Sequence, residues 1–278
     1  MKKRIIVTCC CTFLLLFSQN ALADCAKGKQ LYENAMSQKD DSEKIRLLKA
    51  SLAECKNFNA YYELAKAYES NEEFKNATDA LEQAKNIAKT NKAIAKVLSR
   101  LGLISEKTGE EGKAYVWFQQ AYENHPYPKI RKKIKEIEVR RMEKGMSAEQ
   151  IRDTLLASRG FTVQPSVNLH INFEYDKAIL DSDGMSQADE LGRALADSAF
   201  ANNSFTLIGH TDSQGEEPYN QSLSERRAES VKAYMLRHFS LKPGRIHTQG
   251  EGERKLLYDP EKTEQDCKLN RRVEVRVD

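Results

Sequence analysis

Beyond residue 23 the sequence has no apolar run of the about 20 residues that a membrane-crossing helix takes, so none is expected in the mature chain. Proline is scarce. Between Asp24 and Lys144 only Pro126 and Pro128 occur, which leaves room for long uninterrupted helices. The short signatures of common enzymes are missing as well. There is no Gly-x-Ser-x-Gly elbow, no His-Glu-x-x-His pair and no glycine loop able to cradle a phosphate. Gly250-x-Gly252 is too short for a dinucleotide fingerprint and lacks the strand–helix setting. The five histidines (His125, His170, His210, His238 and His247) fall at no metal-ligand spacing. His210, Asp212 and Ser224 can be drawn as a triad, but nothing supplies an activated nucleophile. No catalytic residue, metal site or cofactor is therefore expected, and the chain does not read as an enzyme.

The first 23 residues differ from the rest. Lys2, Lys3 and Arg4 precede an apolar run from Ile5 to Phe17, and Ala21-Leu22-Ala23 follows. That order is the layout of a secretory signal peptide, expected to be cleaved after Ala23, and the apolar run is too short for a membrane anchor. Asp24 occupies the position before Cys25 where lipoprotein cleavage needs a small residue, so no lipid is expected. Of 44 basic and 41 acidic residues, the three basic ones of the leader would be lost, leaving equal numbers. A neutral mature chain has no bulk electrostatic pull toward nucleic acid. The expected location is the periplasm.

From Asp24 to about 145 the chain is rich in Ala, Lys and Glu and reads as helix throughout. Leu64, Ala65, Tyr68, Ala77, Leu81 and Ala84 form one unit. Leu101, Gly102, Ala114, Phe118, Ala121 and Pro126 form the next. Both place small residues where two helices touch and large ones in the gaps. They resemble tetratricopeptide repeats, in an all-α region of residues 24–145. A degenerate first hairpin is expected over 26–55, with Leu31, Tyr32 and Ala35 against Ile45, Leu48 and Ala53. Residues 128–144 would be the polar cap such arrays need. Export puts Cys25, Cys55 and Cys267 in an oxidising compartment. Cys25 starts the first helix of that hairpin and Cys55 ends the second, which predicts a Cys25–Cys55 disulfide and an unpaired Cys267.

A short helix and linker occupy 146–165, and the pattern then changes period. Val167, Leu169, Ile171 and Phe173 alternate with polar residues as a half-buried strand does. Helices are expected near 186–197 and 220–238, and strands near 205–208, 245–249 and 272–277. The order is that of a two-layer α/β domain with a small mixed sheet and helices on one face. Its polar strand residues, including Arg271 and Arg272, are expected along the open face.

Within it stand Gly209-His210-Thr211-Asp212, Gly215, Asn220, Leu223-Ser224, Arg227-Ala228, Val231 and Asn270-Arg271-Arg272-Val273. On these residues the stretch 166–278 resembles the OmpA-like C-terminal domain. The resemblance implies non-covalent peptidoglycan binding, with Asp212 and Arg227 gripping the diaminopimelate of the stem peptide. Thr211, Asn220 and Asp176 would be further contacts, Asn220 also capping the helix that carries Arg227. The chemistry is coherent by itself. The free end of diaminopimelate carries an ammonium and a carboxylate on one carbon, which a carboxylate and a guanidinium fork complement. The helical repeats would recruit an unidentified envelope protein. The alternative is a periplasmic scaffold or assembly chaperone whose OmpA-like domain no longer binds ligand.

The leader argument has a direct consequence. N-terminal sequencing and intact mass of the exported protein should give Asp24 as first residue and an unmodified Cys25. A diacylglyceryl group on Cys25 would refute it.

Overall fold

The computed structural model describes residues 25–157 and 166–278. The leader 1–23 and the linker positions Gly160 and Pro165 lie outside the described residues. The chain divides into two compact units, Met1–Ile104 and Ser105–Asp278.

The first unit is helical: α1 (25–36), α2 (Asp41–Glu54), α3 (Phe58–Ser70) and α4 (Phe74–Ile87), with the division falling inside α5 (Asn91–Lys107). Local chemistry sets the starts. The Asp40 carboxylate accepts from the Glu43 N–H at 2.8 Å, and the Asn57 side chain accepts from the Ala60 N–H at 2.8 Å, satisfying donors that a helix start leaves open. Ala60, Ala65, Ala77 and Ala84 are fully buried and let α3 and α4 approach closely, with Leu64, Tyr68 and Leu81 filling the space between. In the first hairpin Ala35, Ile45 and Leu48 are buried as expected. Ala53 is exposed and Leu52 takes the inward position. Ala53 lies on the last turn, where the helix rotates that position outward before Cys55. The disulfide joins Cys25 to Cys55 across Cα atoms 4.8 Å apart, and Cys267 is free and buried.

The second unit begins with α6 (Glu111–Asn124), α7 (Pro128–Lys144) and α8 (Ala148–Ala157). It continues with β1 (Ser166–Leu169), α9 (Ser182–Leu195), β2 (Phe205–His210), α10 (Glu217–His238), β3 (Ile246–Gly252), α11 (Glu264–Asn270) and β4 (Arg272–Val277). The sheet order is β1-β4-β2-β3. β4 runs antiparallel to both β1 and β2, while β2 and β3 are parallel, joined through α10 as a crossover. Val167, Leu169, Phe205, Leu207, Val273, Val275 and Val277 point to one face. There they form a core with Leu191 and Leu195 of α9, Val231 and Met235 of α10, and Ile151 and Leu155 of α8.

Two expectations are corrected. β1 ends at Leu169, and Phe173 returns to form a bridge with Leu180, so the alternation that ran on to Phe173 outlasts the strand. The polar face is also not open. Arg272 is only 5% exposed, bonded to Asn168 Oδ1 at 3.1 Å, the Asn270 carbonyl at 3.1 Å and the Lys255 carbonyl at 3.0 Å. A guanidinium has enough donors to be buried only when such acceptors surround it. Even so, burial pulls its pKa down to about 10.

Reducing Cys25–Cys55, which closes a loop of sequence separation 30, should lower the stability of the first unit by on the order of 3 kcal/mol. Thermal melts with and without reductant check this. Burial also pulls the His170 pKa down to about 4 and lowers that of His210. Unfolding releases both side chains to take up protons near the ordinary value of about 6.5. The His170 contribution to stability is therefore complete above that pH and is lost on acidification toward about 4, by at most about 1.4 kcal/mol per pH unit, and His210 acts in the same direction. The midpoint of melting of the second unit should fall between pH 7.5 and 5, with a shallower slope in His170→Asn.

Candidate functional site

β2 delivers Gly209-His210-Thr211-Asp212 to the C-terminal end of the sheet, and α10 returns over it. The two come together at backbone contact distance. A Cβ on Gly209 would lie 2.1 Å from the Ser224 carbonyl oxygen, and one on Gly250 would lie 2.7 Å from Ser224 Oγ. Only glycine fits at these two positions. Ser224 completes the seam, its hydroxyl accepting from the Gly252 N–H at 2.9 Å and donating to the Gln221 carbonyl at 2.8 Å. Arg227 lies one turn further along α10, over the mouth of a cleft of about 860 Å³ that also holds Asp176, Thr211, Asp212, Asn220 and Arg271.

All five expected site residues thus line one cleft, in different roles. Asp212 is 6% exposed. Its Oδ1 accepts from the Gln214 N–H at 3.2 Å, and Oδ2 pairs with Arg271. Arg227 donates from Nε to the Lys177 carbonyl at 3.1 Å and lies 5.0 Å from the centroid of the Phe173 ring. It forms no salt bridge among the described residues. Burial lowers its pKa, and the nearby charge of Arg271 adds to that. An internal Asp212–Arg227 ion pair is therefore not formed. Thr211 anchors the loop through its N–H to the Gly252 carbonyl at 2.9 Å, and its buried hydroxyl has no partner among the described residues. Asp176 stands at φ 55°, in the left-handed region that Asp tolerates, and accepts from the Tyr219 hydroxyl at the rim.

Asn220 does not cap α10. The helix starts earlier, after Glu216, and Asn220 lies inside its first turn at 2% exposure. Its amide donates to the Gln214 carbonyl at 3.0 Å and to Glu253 at 2.6 Å, stapling the loop that presents Asp212. Arg271 was expected along a solvated strand face. It instead enters the cleft between Asp212 and Glu264, the latter at 2.9 Å. α11 makes the difference: it ends at Asn270 and turns Arg271 inward before β4 begins. The capping pair Thr263 and Asp266 that starts α11 was present in the sequence as its signal. No cluster of His, Cys, Asp or Glu able to hold a metal occurs among the described residues.

Residues 172–271 match the OmpA family. The outer-membrane lipoprotein YfiB of Pseudomonas aeruginosa is 36% identical over 48% of this chain and 79% of its own length. The outer membrane protein A of Bordetella avium is 37% identical, over 38% of this chain and 52% of that protein. The outer membrane porin F of P. aeruginosa is 36% identical over 40% of this chain and 31% of that protein. The chain thus spans a third to a half of the length of these last two relatives. Among solved structures, the OmpA-like domain of FopA1 from Francisella tularensis aligns at 30% identity and TM-score 0.34, covering 40% of this chain and 71% of that one. With most of YfiB covered at this identity, and the family's own region falling on α9, β2, α10, β3, α11 and most of the cleft, the chain belongs to the OmpA family.

Proposed function

We propose that the chain binds peptidoglycan non-covalently in the periplasm, gripping the free amino-acid centre of diaminopimelate. The observation that carries this reading is a buried carboxylate and a guanidinium without a carboxylate partner facing one cleft. A ligand with an ammonium and a carboxylate on the same carbon matches them. Asp212 receives the ammonium, and Arg227 donates to the carboxylate as a fork. Arg271, released in part from Asp212 by the incoming ammonium, remains beside the same carboxylate. The Thr211 hydroxyl is a further free bonding group in the cleft. In this reading the chain is a wall anchor and not an enzyme, and the helical segment supplies the surface for an envelope protein partner.

One observation favours the alternative, a scaffold that no longer binds ligand: Arg271 already sits on Asp212. Co-sedimentation of the purified chain with peptidoglycan separates the two. Binding retained in the pellet supports the anchor, and none supports the scaffold.

The anchor reading makes a sharp demand on two side chains. Charge-assisted bonds contribute about 1.5–3 kcal/mol each, and stranding one charge of the ligand raises the loss to about 2–5 kcal/mol. Asp212→Asn and Arg227→Ala should therefore each weaken peptidoglycan binding at least about tenfold, with the double variant losing little more. Arg227→Lys should stay impaired, since an ammonium does not reproduce the fork. Circular dichroism should show all four folded. Wild-type sedimentation by folded Asp212→Asn and Arg227→Ala would sink the proposal.

A further inference from the structure

Along α7, Arg131, Lys135, Glu138 and Met142 recur at spacings of four, three and four, and so share one face of the helix. A polar capping helix would turn this stripe to water. Instead Glu138 is 3% exposed, and the stripe docks on the loop and helix between β3 and β4. Lys135 pairs with Asp266, and Glu138 accepts from the Tyr258 hydroxyl and, at 2.9 Å, from that of Tyr115. Arg131 donates to the Leu257 carbonyl and stands 4.2 Å from the Tyr258 ring centroid, with Lys135 at 4.7 Å from the same ring. At the end of the stripe, Met142 and Glu143 line the cleft itself.

The groups α7 holds lead directly to the ligand loop. Asn270 is fully buried. Its side-chain Oδ1 accepts from the Leu257 N–H at 2.7 Å and the Tyr258 N–H at 3.1 Å, and its side-chain amide donates to Glu261 at 2.6 Å. Glu261 in turn accepts from the Ser213 hydroxyl at 2.5 Å, next to Asp212. Asp266, the partner of Lys135, accepts from the Thr263 N–H and hydroxyl at 3.0 and 2.9 Å and so starts α11. At the far end of α11, Arg271 pairs with Asp212. Two short paths therefore run from α7 toward Asp212, one of polar contacts ending at the exposed Ser213 beside it and one through α11 to Arg271, and separating the buried Glu138, Asn270 or Asp266 from its partners would leave buried donors or acceptors unpaired.

We propose that α7 is a positioning element of the ligand cleft. Lys135 and Glu138, through Asp266, Tyr258 and Asn270, hold the Asp212 loop and Arg271 in their binding geometry without touching ligand. The claim rests on the reading of the cleft as a peptidoglycan site. It adds that α7, a helix that precedes the sheet, is part of that site's support.

The test uses the full chain with Lys135→Ala, Tyr258→Phe and Lys135→Arg, and reads two quantities: sedimentation with purified peptidoglycan, and hydrogen exchange of the 211–215 amides. Lys135→Ala and Tyr258→Phe should each weaken sedimentation about fivefold and speed exchange at Ser213 and Gln214. Lys135→Arg, which keeps the pairing with Asp266, should restore both. Wild-type sedimentation and exchange in the first two variants, with binding still lost in Asp212→Asn, would overturn the positioning role alone. Were Asp212→Asn to sediment like the wild type, the peptidoglycan reading would fall. Exchange at 211–215 would then decide whether α7 holds the loop.

Discussion

Between α10 and the β2–β3 pair there is no room for a side chain. A methyl group on Gly209 would meet the Ser224 carbonyl oxygen at 2.1 Å, and one on Gly250 would meet Ser224 Oγ at 2.7 Å. Backbone lies on backbone, and Ser224 bonds across the junction. The rest of the site depends on this contact. α10 carries Asn220 toward the loop and Arg227 toward the cleft, while β2 carries Asp212, so the spacing of the helix from the strand sets the distance between the two charges. A wider junction would leave the same residues in the same order with nothing to grip between them.

The second consequence is electrostatic. Several charges around the cleft are satisfied internally: Asp212 by Arg271, Arg271 by Glu264 as well, Asp176 by Tyr219, and Arg272 by three acceptors. Arg227 stands apart, half-buried over an aromatic ring with a single backbone acceptor. Keeping a guanidinium partly desolvated without a carboxylate is costly, and burial shows in its lowered pKa. A partner anion from outside would recover that cost. Pairing across a partly buried site adds most where one charge waits unmatched.

Most of the fold was legible because it follows from period and punctuation. The alternation of Val273, Val275 and Val277 and the apolar stripe of Leu191 and Leu195 mark β4 and α9 without outside help. The loop motif placed Asp212 and Arg227 in one cleft. What escaped were features decided by long-range contacts. Arg271 looked like a strand residue because α11 is short and charged, and only its turn at Asn270 brings the side chain inward. Asn220 had the chemistry of a cap, but the helix begins a turn earlier behind Pro218. Glu138 and Arg141 read as solvated, since no local pattern announces that Tyr115, Tyr258 and Glu111 would meet them.

The disulfide has a further bearing on how the chain matures. Cys25 and Cys55 are near neighbours in sequence, on consecutive helices, and their meeting needs no contact from the sheet. Were the chain exported N-terminus first, as its leader predicts, it would present these two thiols to an oxidant long before Cys267. Among the cysteines that follow the leader, the native pair then has no rival at the moment it forms. By the time the last thiol arrives, α11, which carries it, can pack with Cys267 buried and keep it from exchange. Order of emergence, not affinity between sulfurs, would then select the correct bond.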